Sequence, residues 1–531
     1  MVILLLCMAA GTLLMFVNVN IGGGLGGDEA YQTLCVRRYQ EAPLGLLVYW
    51  IGNWLTSWFG FSFLNLRYLT SIEITLSVLV ASWFCFLRTR SLRLSSLMFL
   101  LGCVIAKIGS PQLYNWDTGI FLFDAIGLCL AVSILKKPSV CKCIGLGLSI
   151  ACMGLGRTPT FVFLPLSMLL IGLNFKNKKT IIYEVTIFFS CVVSVLILTW
   201  IILGNPTKYI DLFLQGNVVS GHSPVRDFSY LMYRMYWMIK ETPSVWCFGI
   251  ISLLLPVILI KIKNRTYQIL ILIPWVAFAV LSSYWLTSTH MSSFLLLGMG
   301  SPLVIGFLLA FPIYSIFNKN RKLSRLQNLS LWMCAAFVFS AVLGTDTFTE
   351  RLSLPFVIPV CIAILWRVRY NSFHLYLKYA IAVSLITFGS MLLMHLGKQA
   401  YIFKDDEPIT LAPFNGIKSG EMYSEIEFSL NAIQYLHDNN IPFLSLNDNK
   451  IAELVTGTPS IVPLHEFHAL FFQKEYWLEN KDRFLPYVDA VVYVPRFITP
   501  ENDYEFIIED IREEGFNRQV SIDEAVILFK N

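Results

Sequence analysis

Apolar residues fill the first 400 positions in long blocks, broken by short polar stretches at a spacing that suits membrane crossings. A span needs about 20 apolar residues to cross about 30 Å of hydrocarbon. By that measure the pattern predicts thirteen helices, at residues 2–20, 63–86, 95–110, 118–135, 143–156, 159–174, 181–203, 244–261, 267–285, 292–317, 329–344, 352–366 and 378–396. Arg157-Thr158-Pro159 admits either two helices or one long kinked one. Residues 2–20 have no basic segment before them and no clear small-residue cleavage site, so a retained first span is expected rather than a signal peptide. Beyond residue 396 the pattern changes. Helical spacing at 421–439, 450–456, 465–478 and 501–514 alternates with strand-like runs at 442–446, 487–494 and 519–529. Such alternation predicts a small α/β domain.

Charge sorts the loops. Basic clusters stand at Arg88/Arg90/Arg93, Lys136/Lys137/Lys142, Lys176/Lys178/Lys179, Lys261/Lys263/Arg265, Lys319/Arg321/Lys322/Arg325 and Arg367/Arg369. With thirteen spans and an inside N-terminus, every cluster falls on one side, which the positive-inside bias makes cytoplasmic. Asp28, Glu29, Glu41, Asp117, Asp211, Asp227, Glu241, Asp346 and Glu350 fall on or near the other side. The overall charge of +5 hides two bodies. Residues 401–531 carry 23 acids and 10 bases, and the first 400 carry 12 and 30. The expected architecture is therefore a polytopic α-helical membrane protein of about 13 transmembrane helices over 1–396, with outer loops 21–62 and 204–243. An extracytoplasmic α/β domain follows at 397–531. All twelve cysteines lie at or before Cys361, mostly within apolar spans, so no disulfide framework is implied.

Candidate chemistry gathers on the outer loops. A glycine run after the first span delivers Asp28-Glu29, and carboxylates at a membrane face are candidates for function. Glu29 reads first as a helix-start acid serving the N-terminal dipole. Glu41 reads as a metal ligand, an acceptor-orienting group or a solvated loop charge. Asp117 reads as an acid standing behind the site or as a cap before Thr118. Arg226 and Arg351 are the leading candidates to bind phosphate, with Arg67 and Arg157 behind them. Each could instead snorkel to the interface, and Arg67 could pair with Glu73. His222 and His290 are candidate metal ligands or plain polar loop residues. His465-Glu466-Phe467-His468 lacks a third ligand at the spacing zinc requires. The helix-like segment at 44–59 carries Tyr49, Trp50, Trp54 and Trp58, an aromatic set suited to a membrane interface.

These motifs together resemble the type C glycosyltransferases, above all the protein O-mannosyltransferases and the bacterial aminoarabinose (lipid A) transferases. The likeness runs through Gly27-Asp28-Glu29-Ala30-Tyr31, Glu41-Ala42-Pro43, Leu66-Arg67-Tyr68, Asn115-Trp116-Asp117, Gly154-Leu155-Gly156-Arg157-Thr158-Pro159 and Glu350-Arg351-Leu352 with Leu354-Pro355. Thirteen spans with an outer C-terminal domain match the aminoarabinose-transferase layout, so order and topology carry the resemblance more than any one motif. It implies a polyprenyl-phosphate sugar donor, a lipid, glycan or protein acceptor and Asp28 as catalytic base. Glu29, Glu41, Arg67, Asp117, Arg226 and Arg351 are then substrate-binding, and a divalent metal ion on Glu41 and His222 is the one cofactor admitted. The chain departs from the pattern at Ala42, where aminoarabinose transferases carry a lysine that binds lipid phosphate. Another cation must then hold the phosphate, or the donor sits differently. The expected site of action is the outer face of the bacterial inner membrane, with membrane lipid and no nucleic acid among the partners. A transporter or flippase, and a polymerase or ligase of surface polysaccharide, are the alternative functions. Against the first, transporters often show inverted repeats, and no repeat is visible.

Overall fold

The computed structural model describes residues 2–22, 28–42, 44–109, 114–175, 179–219, 243–288, 301–317, 322–343, 354–368, 370–418, 421–446, 449–462, 464, 474–495 and 503–531, with the single positions 233, 236 and 240. A helix lies on each expected apolar segment: α1 (Val2–Phe16), α4 (Phe63–Thr89), α5 (Leu92–Gly109), α6 (Phe121–Lys136), α7 (Val140–Gly156), α8 (Phe163–Asn174), α9 (Lys179–Leu203), α11 (Pro243–Lys261), α12 (Arg265–Ser288), α13 (Ser301–Phe317), α14 (Arg325–Val342), α15 (Val357–Leu365) and α16 (Asn371–Ile402). Four of these segments are long and apolar enough to cross a membrane: Phe63–Thr89, Thr118–Lys136, Thr180–Leu203 and Asn371–Ile402. Other apolar helices are shorter. The break at Arg157 is real, because α7 ends at Gly156 and a 3-10 turn over Thr158–Val162 precedes α8.

Helices pack closely where side chains are small. A Cβ on Gly147 of α7 would stand 2.5 Å from the Ile187 carbonyl oxygen, so glycine lets α7 and α9 approach backbone to backbone. Phenylalanines fill the centre, with Phe163 edge-on to Phe337 at 5.2 Å and Phe337 edge-on to Phe356 at 5.7 Å. The outside of the bundle is apolar too, with Phe189, Trp200, Leu281 and Trp332 all exposed.

The segment between α1 and α4 folds as α2 (Asp28–Arg37), a 3-10 turn at Tyr39–Glu41 and α3 (Leu46–Phe59). The buried face of α3 includes Leu46, Leu47, Val48 and Tyr49, while Trp54, Trp58 and Phe59 are exposed. α10 (Pro206–Val219) opens the second long connection.

The C-terminal segment contains α17 (Glu421–Asp438), β1 (Phe443–Ser445), α18 (Asn449–Thr456), α19 (Lys474–Phe484), β2 (Ala490–Tyr493), α20 (Tyr504–Glu513), β3 (Arg518–Ile522) and β4 (Ala525–Phe529). Its sheet has the order β1-β2-β4-β3, with β1 parallel to β2 and the other pairs antiparallel. The two central strands are buried on both faces, and their alternation splits the core. Ala490, Val492, Ile527 and Phe529 join Ala432 and Leu436 of α17. Val491, Tyr493, Val526 and Leu528 face a second cluster that runs on into Ala30, Tyr31 and Leu34 of α2 and Val48 and Tyr49 of α3. The sheet and the α2–α3 segment therefore share one core. The expected helix at 465–478 is seen from Lys474 onward, and 465–473, with His465 and His468, lie outside the described residues.

Phe414 anchors this junction. It is fully buried, and its ring lies 4.7 Å from that of Phe63 at the start of α4. The Phe63 amide donates to the Pro413 carbonyl at 3.0 Å. Phe414→Ala should weaken the junction by about 3–5 kcal/mol, as for other large-to-small core changes. Limited proteolysis of the purified chain should then release residues beyond 404 faster than wild type; unchanged cleavage would mean that Phe414 does not hold the two parts together.

Candidate functional site

One end of the bundle gathers the starts of α4 and α6 with the ends of α1, α5 and α7. Ser62 caps α4, its hydroxyl accepting from the Asn65 amide at 3.1 Å, and Arg67 follows one turn in. The Arg67 guanidinium forks the Glu29 carboxylate, Nε to Oε1 at 2.7 Å and Nη2 to Oε2 at 2.8 Å. It also donates to the carbonyls of Val19 at 3.1 Å and Gly22 at 2.8 Å. Both side chains are buried. A planar guanidinium suits this bidentate pairing, which is stronger than a neutral hydrogen bond. Arg67 therefore pairs with Glu29 and not with Glu73, which the linear sequence left open. Residues six apart do not share a helix face. Asp28 opens α2 beside Glu29, but its side chain lies outside the described residues.

A second buried pair stands nearby. Arg157 follows α7 in an extended conformation, and its Nε lies 3.1 Å from Asp117 Oδ1. Its Nη1 donates to the Ala341 carbonyl and its Nη2 to the Leu343 carbonyl, the latter at 2.9 Å. The cap expected of Asp117 is supplied instead by Asn115, whose side-chain oxygen accepts from the amides of Asp117 at 3.0 Å and Thr118 at 2.9 Å. Asp117 is thereby released to meet Arg157. The segments that carry this pair pack on Val48 of α3. Tyr114 donates to the Val48 carbonyl at 2.8 Å, and a Cβ on Gly119 would fall 2.3 Å from a Val48 methyl. A Cβ on Gly156 would lie 2.0 Å from Ile120. The glycine before Arg157 thus has a packing reason.

Lys107 is the residue that the linear reading missed. It lies in the last turn of α5 and is 7% exposed. Among the described residues its ammonium makes one hydrogen bond, of 3.4 Å, to the Met15 carbonyl. Among the described residues its titratable neighbours include Arg67 and His395 of α16, both basic types. An ammonium has three donors to place, and the described residues account for one of them. The available signal was a lysine at the outer end of an expected span, against the positive-inside bias.

Glu41 is engaged elsewhere. Arg38 pairs with both Glu41 and Glu453 of α18, the second at 2.9 Å, while Arg37 donates to the Glu453 carbonyl at 3.2 Å. Burial of α2 also pushes the Cys35 thiol up to about 12, so this cysteine is inert. Among the described residues no group of three His, Cys, Asp or Glu side chains gathers as a metal site. With Glu41 held by Arg38, the described side chains do not fit a metal centre at that position. Arg226, His222, His290 and Arg351 lie outside the described residues.

Removing one partner of a buried pair leaves an uncompensated charge, at a cost of about 3–5 kcal/mol. Arg67→Gln should therefore lower the melting temperature of the detergent-solubilised chain sharply. Glu29→Gln on that background should restore part of the loss, because both charges are then gone. Additive losses in the double variant would show that the two side chains do not act as a pair.

No protein-family model matches the chain, and no curated protein is significantly similar to it.

Proposed function

We propose that the chain is a polyprenyl-phosphate-dependent glycosyltransferase, a multi-pass protein of the bacterial inner membrane acting at its outer face. The observation that carries this reading is the Arg67 clamp on Glu29. It fixes the first turn of α2, and with it the backbone of Asp28, and Arg67 has the buried Lys107 of α5 as a neighbour. Apolar helices with exposed Phe189, Trp200 and Trp332 support a lipid environment. The described basic loop residues gather away from the Asp28 end: Arg367 donates to the Arg88 carbonyl at 3.0 Å, and Lys136 and Lys142 are close to Arg88.

In this mechanism the carboxylate of Asp28 takes the proton of an acceptor hydroxyl as the acceptor oxygen bonds to the anomeric carbon of the sugar. The bond from that carbon to the phosphate oxygen breaks, and polyprenyl phosphate leaves with the electron pair. The configuration inverts in one displacement. A cation beside the departing phosphate, to offset its growing negative charge, is the other requirement. Glu29 and Arg67 satisfy each other and serve as positioning residues. Lys107 joins Arg226 and Arg351 as a donor-phosphate ligand in place of the lysine missing at Ala42.

A transporter is the second reading, favoured by Glu73. This residue lies ten positions into α4, roughly 15 Å along it, and one carboxyl oxygen is buried without a hydrogen bond.

Asp28→Asn should abolish sugar transfer from a purified lipid-linked donor while the melting temperature stays that of wild type. Full activity would remove Asp28 as base. Lys107→Gln should weaken donor binding and turnover together, by roughly tenfold or more for one lost charge-assisted contact. Wild-type kinetics would place the phosphate elsewhere. Glu73→Gln should leave transfer intact, and abolished transfer there would favour a relay through the bundle. For topology, cysteines introduced at Asp405 and Lys137, with exposed Cys141 and Cys247 replaced by serine, should label from outside and inside respectively. Both labelling from one side would overturn the proposed orientation.

A further inference from the structure

A small pocket, open to the surface, lies at the far end of α4 from Arg67, roughly 30 Å away along the helix. Three cations from three separate segments line it: Arg88 of α4, Lys136 of α6 and Arg367, just past α15. No carboxylate forms an ion pair with any of them among the described residues. Arg88 has weak polar contacts, with Ser133 Oγ at 3.3 Å and the Val132 carbonyl at 3.5 Å, and its guanidinium sits 4.9 Å over the Phe84 ring. Arg367 caps the end of α4 through the Arg88 carbonyl, which suits a cation at a helix C-terminus. Capping accounts for that contact but not for three positive groups around one void. Lys136 feels the repulsion of both arginines. Arg88 is half-buried and Lys136 and Arg367 are exposed, so the three form a positive patch that an anion would offset.

The walls specify which anion. Phe84, Val132 and Ile364 place an apolar surface directly beneath the charges. Arginine forks two phosphate oxygens and lysine supplies a compact point charge, so the polar end fits a phosphate group. Apolar surface below a phosphate site fits an acyl chain. Lys136 and Arg367 are exposed at the rim, which leaves a route from the surface. We propose that this cavity binds the phosphate headgroup of an anionic phospholipid, at the end of the bundle opposite the candidate catalytic site. A basic pocket between apolar helices is suited to that ligand.

The test uses the full chain in detergent and native mass spectrometry, with equal amounts of phosphatidylglycerol and phosphatidylcholine added. Wild type should retain one phosphatidylglycerol with at least a roughly tenfold preference, and Lys136→Gln/Arg367→Gln should lose that preference. Arg367→Lys should keep most of it. Ser330→Phe, which fills the void and keeps every charge, should also lose the bound lipid, whereas Lys261→Gln/Lys263→Gln should change nothing. Equal retention of the two lipids by wild type would overturn the proposal, as would unchanged retention in Lys136→Gln/Arg367→Gln. Lys136→Gln alone, at an exposed position, gives the same readout if the double variant fails to fold. Inorganic phosphate that displaces phosphatidylglycerol at equal concentration would make the cavity a free-phosphate site and overturn the lipid assignment.

Discussion

The buried Arg67–Glu29 pair is the interaction on which this end of the molecule depends. Three pieces of chain are fastened to one guanidinium: the carbonyls of Val19 and Gly22 after α1, the Glu29 carboxylate in α2, and α4 itself. Arg157 repeats the device with Asp117 and the carbonyls of residues 341 and 343. In each case an arginine neutralises one carboxylate and ties down two backbone oxygens. Burying such ions gains little net stability, since desolvation offsets most of the attraction. What it confers is position. Both arginines are committed, whereas Lys107, among the described residues, is held by one carbonyl.

The sheet at the C-terminus is joined to the same structure. α2 has one side toward Arg67 and the other in the cluster that includes Leu444, Val491 and Leu528. Glu453 holds this arrangement electrostatically, accepting from Arg38 and from the Ser460 amide at 3.0 Å. Because Arg38 also holds Glu41, the position of Glu41 depends on α18, more than 400 residues away in sequence. A change in the C-terminal segment can therefore reach the α2–α3 segment without touching a reacting group.

Much of the fold was legible because apolar blocks are local signals. Each expected apolar segment carries a helix, and the alternating runs near 443, 490 and 525 form strands. The gathering of Arg88, Lys136 and Arg367 at one end of the bundle follows the loop charge pattern. The site was less legible, because its partners are set by tertiary packing. Nothing within a few residues of Arg67 reveals that Glu29, 38 positions earlier, is its partner. The choice for Asp117, between a cap and an acid behind the site, turns on Asn115, two positions earlier, which fills the capping role. Lys107 stands at the end of an apolar run, and its proximity to Arg67 exists only in three dimensions.

The central claim is that a sugar leaves polyprenyl phosphate at this end of the bundle by a single displacement. The most direct measurement is a reaction of the purified chain, in lipid nanodiscs, with a polyprenyl-phosphate-linked sugar and a membrane extract as acceptor, followed by mass spectrometry and assignment of the anomeric configuration. The account predicts free polyprenyl phosphate in equal amount to the glycosylated acceptor, with the sugar inverted. Donor that stays intact, or is carried across the bilayer unchanged, would contradict it.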